Sequence, residues 1–337
     1  MKLFIQIPCL NESEFLAATL AELPRELPGI EEIKWLVIDD GSTDNTAEVA
    51  LANGVDYVVR FAENQGLAAA FQAGLDACLK LGADVVINTD ADNQYDASAI
   101  PALLQPILEG RADIVVGDRD AGNVQEFSVL KRYLQRFGTD VVRRLSGTAV
   151  KDATSGFRAF SRDAALQINL VTKFTYTIES LIQVSDGSLA LTNAPVKRND
   201  SVRPSRLFGS TFKYIRRNAW TMVRIYLQYR PLRLFVPVGT VLLLASLVSW
   251  TPAFLDTFSS NPTPHLQSTI LGAVLFISGI QAFLFGAIAD AITSVRSLST
   301  KTLHRVRDIE LQVGVPAKIY AAGSGTTAKP AKKLKKK

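Results

Sequence analysis

Several features that are common in nucleotide-binding and secreted proteins are missing from this chain. No Gly-x-Gly-x-x-Gly segment follows the first apolar run, and no Gly-Lys-Ser/Thr motif occurs anywhere, so a glycine loop that cradles phosphate is excluded. A signal peptide is not expected, because Met1 leads directly into the apolar run of residues 3–8. Only two cysteines are present, and we expect Cys9 and Cys78 to be reduced thiols that pack as small apolar groups.

Acidic and basic residues are distributed unevenly along the 337 residues. The net charge is +5, yet residues 1–196 contain 16 Lys and Arg against 27 Asp and Glu, a balance of −11. Basic residues are concentrated in residues 197–233, with 10 against 1, and in residues 296–337, with 11 against 2. These segments flank the most apolar part of the chain, which indicates membrane topology rather than binding of nucleic acid.

Two uncharged stretches are long enough to cross a bilayer. The first covers the 22 residues 234–255, about 33 Å as a helix. The most apolar part of the second is residues 270–289. The loop between them, residues 256–266, contains no Lys or Arg, whereas both flanks are strongly basic. The positive-inside rule therefore predicts an integral membrane protein with both flanks in the cytoplasm. The alternative is a buried helical hairpin of a soluble protein.

Apolar runs alternate with segments of helical spacing before the spans. The predicted strands are residues 3–8, 34–39, 57–60, 84–89 and 113–117, and the predicted helices are residues 12–23, a segment ending at Ala52, 66–80 and 97–109. This succession predicts an α/β domain with a largely parallel sheet. Ligands of such sheets bind beyond the carboxyl ends of the strands, so the residues that follow each strand are the candidate site residues.

Two carboxylates and a carboxamide follow the buried run of residues 84–89. Asp90, Asp92 and Gln94 are spaced two residues apart, and an extended chain would place both carboxylates on one side. Oxygen ligands so placed suit Mg²⁺ or Mn²⁺, which keeps open positions for substrate phosphates. The alternative is a polar strand end that caps the next helix. Asp39, Asp40 and Asp44 likewise keep an alternative role in turn and helix capping.

The motifs of the chain, taken together, resemble those of family-two glycosyltransferases with the GT-A fold, from residue 3 to about residue 210. The matching elements are Pro8-x-x-Asn11-Glu12, Asp39-Asp40-Gly41-Ser42-x-Asp44, Asn64-x-Gly66-x-x-x-Ala70-x-x-x-Gly74, Asp90-Ala91-Asp92-x-Gln94, Gly117-x-Arg119 and Asp152-x-x-Ser155-Gly156-Phe157-Arg158. Each element alone is weak evidence for the family, whereas six elements in this order are specific to it. The later elements and the two spans resemble the polyprenyl-phosphate branch, which includes dolichyl-phosphate mannose synthases and bacterial polyprenyl-phosphate glycosyltransferases.

The resemblance implies an α/β GT-A, Rossmann-like domain that binds a UDP- or GDP-linked sugar. Such enzymes move the sugar, with inversion, to the phosphate of a polyprenyl lipid such as dolichyl or undecaprenyl phosphate. By analogy, Mg²⁺ or Mn²⁺ held by Asp90, Asp92 and Gln94 neutralises the charge on the departing nucleoside diphosphate. The substrate-binding residues implied on the donor side are Pro8, Leu10, Asn11, Glu12, Asp39, Asp40, Asp90 and Ala91.

Arginines are the expected partners of the acceptor phosphate. That phosphate is largely ionised at neutral pH, so it needs a cation more than a general base. A guanidinium group binds phosphate oxygens in pairs. The candidate catalytic residues are Asp92, Arg119, Arg136 and Arg158, with Arg203 and Arg206 as further substrate-binding candidates. Arg136 lies 16 residues before Asp152, which is where the family's acceptor arginine falls. Each arginine has the alternative of a solvated surface position.

The predicted organisation has a cytosolic catalytic domain, a membrane hairpin and a tail. The segments are a catalytic domain at 1–206, a basic amphipathic juxtamembrane helix at 207–233, spans at 234–255 and 267–290 around an exoplasmic loop at 256–266, and a basic cytosolic tail at 291–337, disordered after about 321. A homo-oligomer is expected by analogy only. Two other functions stay open. A polysaccharide synthase of the same family would need more spans, and the retained carboxylates argue against a non-catalytic nucleotide-sugar-binding membrane protein.

Overall fold

The computed structural model of the chain divides into two units. The structure describes residues 1–119, 143, 147–170, 176–186, 189–197, 199, 231–256, 258 and 265–322. One unit comprises Met1–Leu207 together with Leu303–Lys337, and the other comprises Phe208–Thr302. The predicted juxtamembrane helix at 207–233 lies almost entirely outside the described residues, as does the tail beyond residue 322.

The first unit contains a mixed eight-stranded sheet. Its strands are β1 (Lys2–Cys9), β2 (Glu32–Asp39), β3 (Tyr57–Arg60), β4 (Val85–Asn88), β5 (Ile114–Asp118), β6 (Arg158–Ser161), β7 (Leu191–Pro195) and β8 (Ala321–Ala322). The strand order is β7-β5-β6-β4-β1-β2-β3-β8. Pairing is parallel within β4-β1-β2-β3 and between β5 and β7. It is antiparallel where β6 joins β4 to β5 and where β8 joins β3. The predicted parallel sheet is therefore confirmed for its centre, and β6, β7 and β8 are additions to it.

Among the described residues 1–199, six α-helices and one 3₁₀ turn accompany the sheet strands. They are α1 (Leu16–Glu22), α2 (Thr46–Ala52), α3 (Leu67–Lys80), a 3₁₀ turn (Ala97–Ala99) that leads into α4 (Ile100–Leu108), α5 (Arg162–Gln167) and α6 (Tyr176–Asp186). The central strands are buried on both faces, and β1 is buried throughout after Lys2, as expected for a sheet covered by helices. A Cβ atom at Gly74 of α3 would lie only 2.4 Å from Gln6 Oε1, so this glycine allows α3 to pack closely on β1.

The second unit is built on two long apolar helices. α7 (Leu232–Asp256) and α8 (Leu266–Val313) are both long and apolar enough to cross a membrane. α7 agrees with the span predicted at 234–255, whereas α8 contains the span predicted at 267–290 and continues 23 residues beyond it to Val313. Three glycines of α8 at intervals of seven, Gly272, Gly279 and Gly286, lie against side chains of α7. Small residues at such a seam let two helices approach closely in a bilayer.

The carboxy-terminal arm, defined here as residues 303–322, belongs to the first unit. It consists of the end of α8, a short connection and β8. β8 pairs with the edge strand β3, Ala321 opposite Val58 and Ala322 opposite Tyr57. The segment predicted as a basic tail thus includes ordered structure up to the last described residue, and it extends the sheet.

Candidate active site

The carboxyl-terminal edge of the sheet opens between β1 and β4. Their pairing ends at Gln6 and Asn88, whereas β1 continues beside β2 to its end. The Gln6 carbonyl accepts a hydrogen bond from Thr89 N at 3.1 Å, so the backbone groups of residues 6 and 8 face β4. Pro8 has no N–H group, and β4 has already ended at this level. The sequence thus separates the two strands where ligands of α/β sheets bind.

The candidate carboxylates follow β4 in a turn rather than in an extended segment. β4 ends at Asn88, the chain turns at Ala91 and Asp92, and Asn93 has a left-handed φ of +53°. The extended geometry expected from the sequence is therefore not adopted. The two carboxylates nevertheless interact, because burial first and the negative charge of Asp92 second raise the pKa of Asp90 to about 6.

Tyr95 and Gly156 hold the Asp90 carboxylate in place. Burial raises the pKa of Asp90, and the nearby Tyr95 hydroxyl opposes part of that rise. The same hydroxyl accepts a hydrogen bond from Gly156 N at 2.9 Å. A Cβ atom at Gly156 would lie 2.8 Å from Asp90 Oδ2 and 2.9 Å from Oδ1. A side chain at position 156 would clash with this carboxylate, so the Ser-Gly-Phe-Arg motif requires glycine there.

A buried polar network lies behind Asp90. Asn88 donates from Nδ2 to the Gly156 carbonyl at 2.9 Å and to the Tyr176 hydroxyl at 2.9 Å. Its Oδ1 accepts from Gln6 Nε2 at 3.0 Å. Since Asn88, Tyr176 and Gln6 are fully buried or nearly so, the network fixes the Gly156 loop relative to β1 and β4.

Asp92 differs from Asp90 in having an unsatisfied oxygen. Asp92 Oδ1 is buried and has no hydrogen-bond partner, while Oδ2 accepts a short hydrogen bond from Gln94 Nε2. Gln94, predicted as a third metal ligand, therefore presents its nitrogen to Asp92 in this structure. A buried carboxylate oxygen without a partner is costly unless a cation binds it.

The oxygen ligands of the site fit a divalent metal. Phosphates of the substrate would complete the coordination of that metal. Within the described ranges, no three His, Cys, Asp or Glu side chains converge on one point. Asp90 and Asp92 supply two carboxylates. Mg²⁺ characteristically binds to one or two carboxylates, substrate phosphates and water rather than to a complete protein cage, so this pair is compatible with it.

Arg119 brings a fixed positive charge to the same site. Its Nε lies 2.6 Å from Asp152 Oδ2, and its Nη2 donates to Asp152 Oδ1 at 3.1 Å and to Thr154 Oγ1 at 2.9 Å. Burial opposes ionisation of Asp152, but the hydrogen bonds and charge of Arg119 outweigh it and lower the pKa of Asp152. Burial raises the pKa of Asp90, and the charge of Arg119 opposes part of that rise. The predicted Arg119 thus lies where the structure brings the carboxylates together.

Arg158 occupies a structural position instead of an open one. Its side chain is fully buried. Its guanidinium donates to the carbonyls of Ser155, Thr177 and Ala153 at 2.7–3.0 Å and to Ser180 Oγ at 2.8 Å. The predicted role of Arg158 as a catalytic arginine does not agree with this burial, because a phosphate would have to displace these internal bonds. We assign Arg158 to holding the loop around Ser155.

Asp39 lies at the end of β2 with an arginine beside it. Its side chain is completely buried, its Oδ1 accepts from Ser42 N at 2.8 Å, and its Oδ2 lies 3.0 Å from Arg60 Nε. Asp40 points elsewhere and accepts the backbone N–H groups of Gln65 and Gly66 at 2.8 and 3.0 Å. Asp40 therefore caps the loop before α3, and this contact does not agree with its predicted contact with substrate.

The remaining donor-side candidates shape the loop between β1 and α1. Asn11, at φ +53°, accepts the Thr43 N–H at 2.8 Å, and Glu12 N donates to Thr46 Oγ1 at 3.0 Å. These bonds tie the first loop to the second. Leu10 is 40% exposed, and the buried Ala91 accepts the Thr19 hydroxyl at 2.8 Å through its carbonyl. Three other predicted residues, Arg136, Arg203 and Arg206, lie outside the described residues.

Comparison with known proteins identifies the family. The family model described as glycosyl transferase family 2 matches residues 4–168. The model described as the GtrB C-terminal hairpin matches residues 230–295. The undecaprenyl-phosphate mannosyltransferase of Micrococcus luteus is 30% identical over 50% of this chain and 70% of its own. The chain belongs to glycosyltransferase family 2.

Two further similarities extend the comparison of this glycosyltransferase. The prophage bactoprenol glucosyl transferase homolog of Escherichia coli is 26% identical over 87% of this chain and 94% of its own. A crystal structure of glucosyl-3-phosphoglycerate synthase from Mycobacterium tuberculosis, determined with Mn²⁺, UDP-glucose and phosphoglyceric acid, superposes with a TM-score of 0.51 and 21% identity. It covers 66% of this chain and 79% of that chain. At this identity it supports the GT-A fold alone.

Several residues of the site were not predicted from the sequence. Tyr95 directly follows the Asp90–Gln94 motif, so its position in the sequence could have indicated that it belongs to the site. Asn88 and Tyr176 are 88 residues apart, and no local pattern links them. Arg60 ends β3 and had a signal of the same kind as Arg119, since both arginines follow or close a strand.

Proposed function

We propose that this glycosyltransferase transfers a sugar from a UDP- or GDP-linked donor to the phosphate of a polyprenyl lipid, with inversion at the sugar carbon. The observation that carries the proposal is the unsatisfied Asp92 oxygen beside Asp90 at the carboxyl edge of the sheet. The names of the mannosyltransferase and the bactoprenol glucosyl transferase homolog support the acceptor. The two apolar helices support a substrate that resides in a membrane.

We propose that Asp90 and Asp92 hold Mg²⁺ or Mn²⁺, with Gln94 fixing Asp92. The metal would act as a Lewis acid on the diphosphate of the donor. Asp92 offers its unsatisfied Oδ1, and Tyr95 orients Asp90. The nitrogen and oxygen of a carboxamide exchange places by rotation about one bond. Such a rotation would turn the Gln94 oxygen toward the metal position beside Asp92.

Arg119 suits the electrostatic part of the reaction. Two anionic phosphates must approach each other, and their repulsion opposes transfer unless a cation lies between or beside them. Arg119 is held by Asp152 and Thr154, so it is positioned before substrate binds. On the basis of the sequence, Arg136, Arg203 and Arg206 remain proposed additional phosphate ligands.

The catalytic domain is proposed to lie on the cytoplasmic side of the membrane. The basic segments at 197–233 and 296–337 flank the apolar helices, while the loop at 256–266 has no Lys or Arg. The positive-inside rule then places both flanks in the cytoplasm, where nucleotide sugars are available.

Membranes that contain the protein provide the first test. They would be incubated with radiolabelled UDP- and GDP-sugars, a short polyprenyl phosphate and Mn²⁺. We expect label from one donor in the lipid phase, as one sugar per lipid. Membranes with Asp92→Asn serve as the matched control. Binding of a donor without any transfer would support the non-catalytic alternative, and label in a growing glycan would support the polysaccharide synthase.

A further inference from the structure

The carboxy-terminal arm is fastened to the catalytic domain by a cluster of charges. Arg307 donates to the Ile168 carbonyl at 2.8 Å, and its Nη2 lies 3.3 Å from Asp76 of α3. One turn further along α8, Glu310 pairs with Lys80 at 2.8 Å. These contacts fix the end of α8 against α3 and the end of α5. The point at which the chain leaves α8 after Val313 is therefore fixed relative to α3 and α5.

From that place the arm reaches the edge of the sheet beside the donor site. Tyr320 N donates to the Val58 carbonyl at 2.7 Å, and β8 pairs with β3 immediately afterwards. β3 ends at Arg60, directly beside the end of β2 at Asp39. Tyr320 is thereby held by backbone hydrogen bonds at the level of the strand ends where ligands bind.

Tyr320, Arg60 and Asp39 form a chain of contacts into the interior. The Arg60 guanidinium carbon lies 5.4 Å from the centre of the Tyr320 ring, which is within the range of a cation–π contact. Arg60 Nε lies 3.0 Å from Asp39 Oδ2. Asp39 is completely buried, so its charge depends on this arginine for compensation. The exposed aromatic ring thus restrains the cation that neutralises a buried carboxylate.

We propose that Tyr320 is a positioning residue for the donor nucleotide, acting through Arg60 on Asp39. The inference rests on the proposed function, in which Asp39 lies in the nucleotide-binding site. An immobile Asp39 carboxylate presents a fixed acceptor to the N–H and O–H groups of a nucleoside. Without Tyr320, Arg60 is free to turn toward its other partner, Glu48, which is 3.4 Å away and more exposed. The arm is then part of the donor site, although it is 260 residues from Arg60 in sequence.

The test is a double-substitution cycle in the full-length protein in detergent. Tyr320→Ala, Arg60→Lys and the double variant would be compared with wild type, and Val313→Ala would be the control because Val313 is 75% exposed on the same arm. Calorimetry with UDP or GDP and Mn²⁺ gives the affinity. We expect Tyr320→Ala to weaken binding about three- to tenfold, as for loss of a cation–π contact. The control should bind like wild type.

Three further outcomes separate positioning from general stability. The double variant should bind no more weakly than Arg60→Lys alone, because the effect of Tyr320 passes through Arg60. In steady-state assays the donor KM should rise while the KM for polyprenyl phosphate stays constant. Tyr320→Phe, which keeps the ring, should restore part of the lost affinity.

Unchanged affinity in Tyr320→Ala, additive losses in the double variant, or an equal rise in both KM values would overturn the inference. If Tyr320→Ala does not fold, Tyr320→Phe and Arg60→Lys complete the same cycle. If wild type binds neither UDP nor GDP, the proposed function itself is at fault rather than the role of the arm.

Discussion

At the scale of single residues, the two neighbouring carboxylates of the site have different surroundings. Asp90 is held by Tyr95 and by close contact with Gly156, whereas Asp92 keeps a buried oxygen without a hydrogen-bond partner. The first carboxylate is therefore positioned by protein and the second is prepared for a ligand. Substitution of each should have a different consequence.

Replacing Asp92 by Asn should remove most turnover while the protein remains folded and membrane-bound. An amide keeps the shape of the side chain but supplies no anionic oxygen to a metal, and Lewis-acid stabilisation of several kcal/mol corresponds to at least about a hundredfold in rate. Transfer assays with Mg²⁺ and with Mn²⁺ measure the loss, and thermal unfolding is the control. Near-normal activity would refute the assigned role of Asp92.

The raised pKa of Asp90 predicts that the metal-free protein loses stability as pH rises. Folding favours the protonated form of Asp90, so its contribution is fully present below its ordinary pKa of 3.8 and is lost as pH rises through about 6. Asp90→Asn should therefore stabilise the metal-free protein at pH 8, by at most about 3 kcal/mol, with little gain at pH 4. Denaturant titrations at both pH values provide the measurement. An equal effect at both would contradict the assignment.

Residue type alone predicted the composition of the site better than the role of each residue. Asp90, Asp92 and Arg119 lie together as expected, because each follows a strand whose end faces the same edge. Arg158 has the same charge as Arg119, yet it is buried and donates to internal carbonyls. Asp40 has the same charge as Asp90, yet it caps the loop before α3. These contacts depend on the tertiary structure, so the motifs alone could not predict them.

At the scale of secondary structure, α8 connects the apolar hairpin with the arm. Its last turns contact α3 and α5 through Arg307 and Glu310. The end of the predicted span near residue 290 marks where the apolar character ends, and the helical backbone continues because residues 291–313 contain no proline or glycine. Hydropathy located the two long apolar helices, but it does not report on where a helix ends.

Arg307→Ala should release the arm from the catalytic domain. The substitution leaves the carbonyl of Ile168 and the carboxylate of Asp76 without their partner, which costs about 1–3 kcal/mol. We expect faster amide hydrogen exchange in residues 303–322 and a lower unfolding temperature. Arg305→Ala, at an exposed position two residues away, is the matched control. Equal exchange in both variants would show that Arg307 does not fasten the arm.

Three strands, β6, β7 and β8, had no counterpart among the strands predicted from sequence patterns. β6 has four residues and begins with a buried arginine, so it lacks the apolar alternation that marks a strand. β8 has two residues, and its pairing with β3 depends on the placement of the arm. Both strands arise from tertiary contacts, whereas β1 and β2, with long apolar runs, were predicted within two residues at each end.

At the scale of the whole molecule, charge distribution predicts the orientation in the membrane. In sealed right-side-out vesicles, added protease should not reach the catalytic domain or the Lys-rich tail, because both basic flanks are expected inside. A protease site inserted in the loop at 256–266 should be cleaved. Protection of that loop together with digestion of the tail would reverse the proposed orientation.

The central claim is sugar transfer to a lipid phosphate through the Asp90–Asp92 site. The most direct measurement is a mass-spectrometric assay of purified protein with the preferred nucleotide sugar, polyprenyl phosphate and Mn²⁺, quantifying both products. We predict one polyprenyl-phosphate sugar for each nucleoside diphosphate released, and neither product with Asp92→Asn or after chelation of the metal. Release of nucleoside diphosphate without a glycosylated lipid, or undiminished lipid product from Asp92→Asn, would contradict the account.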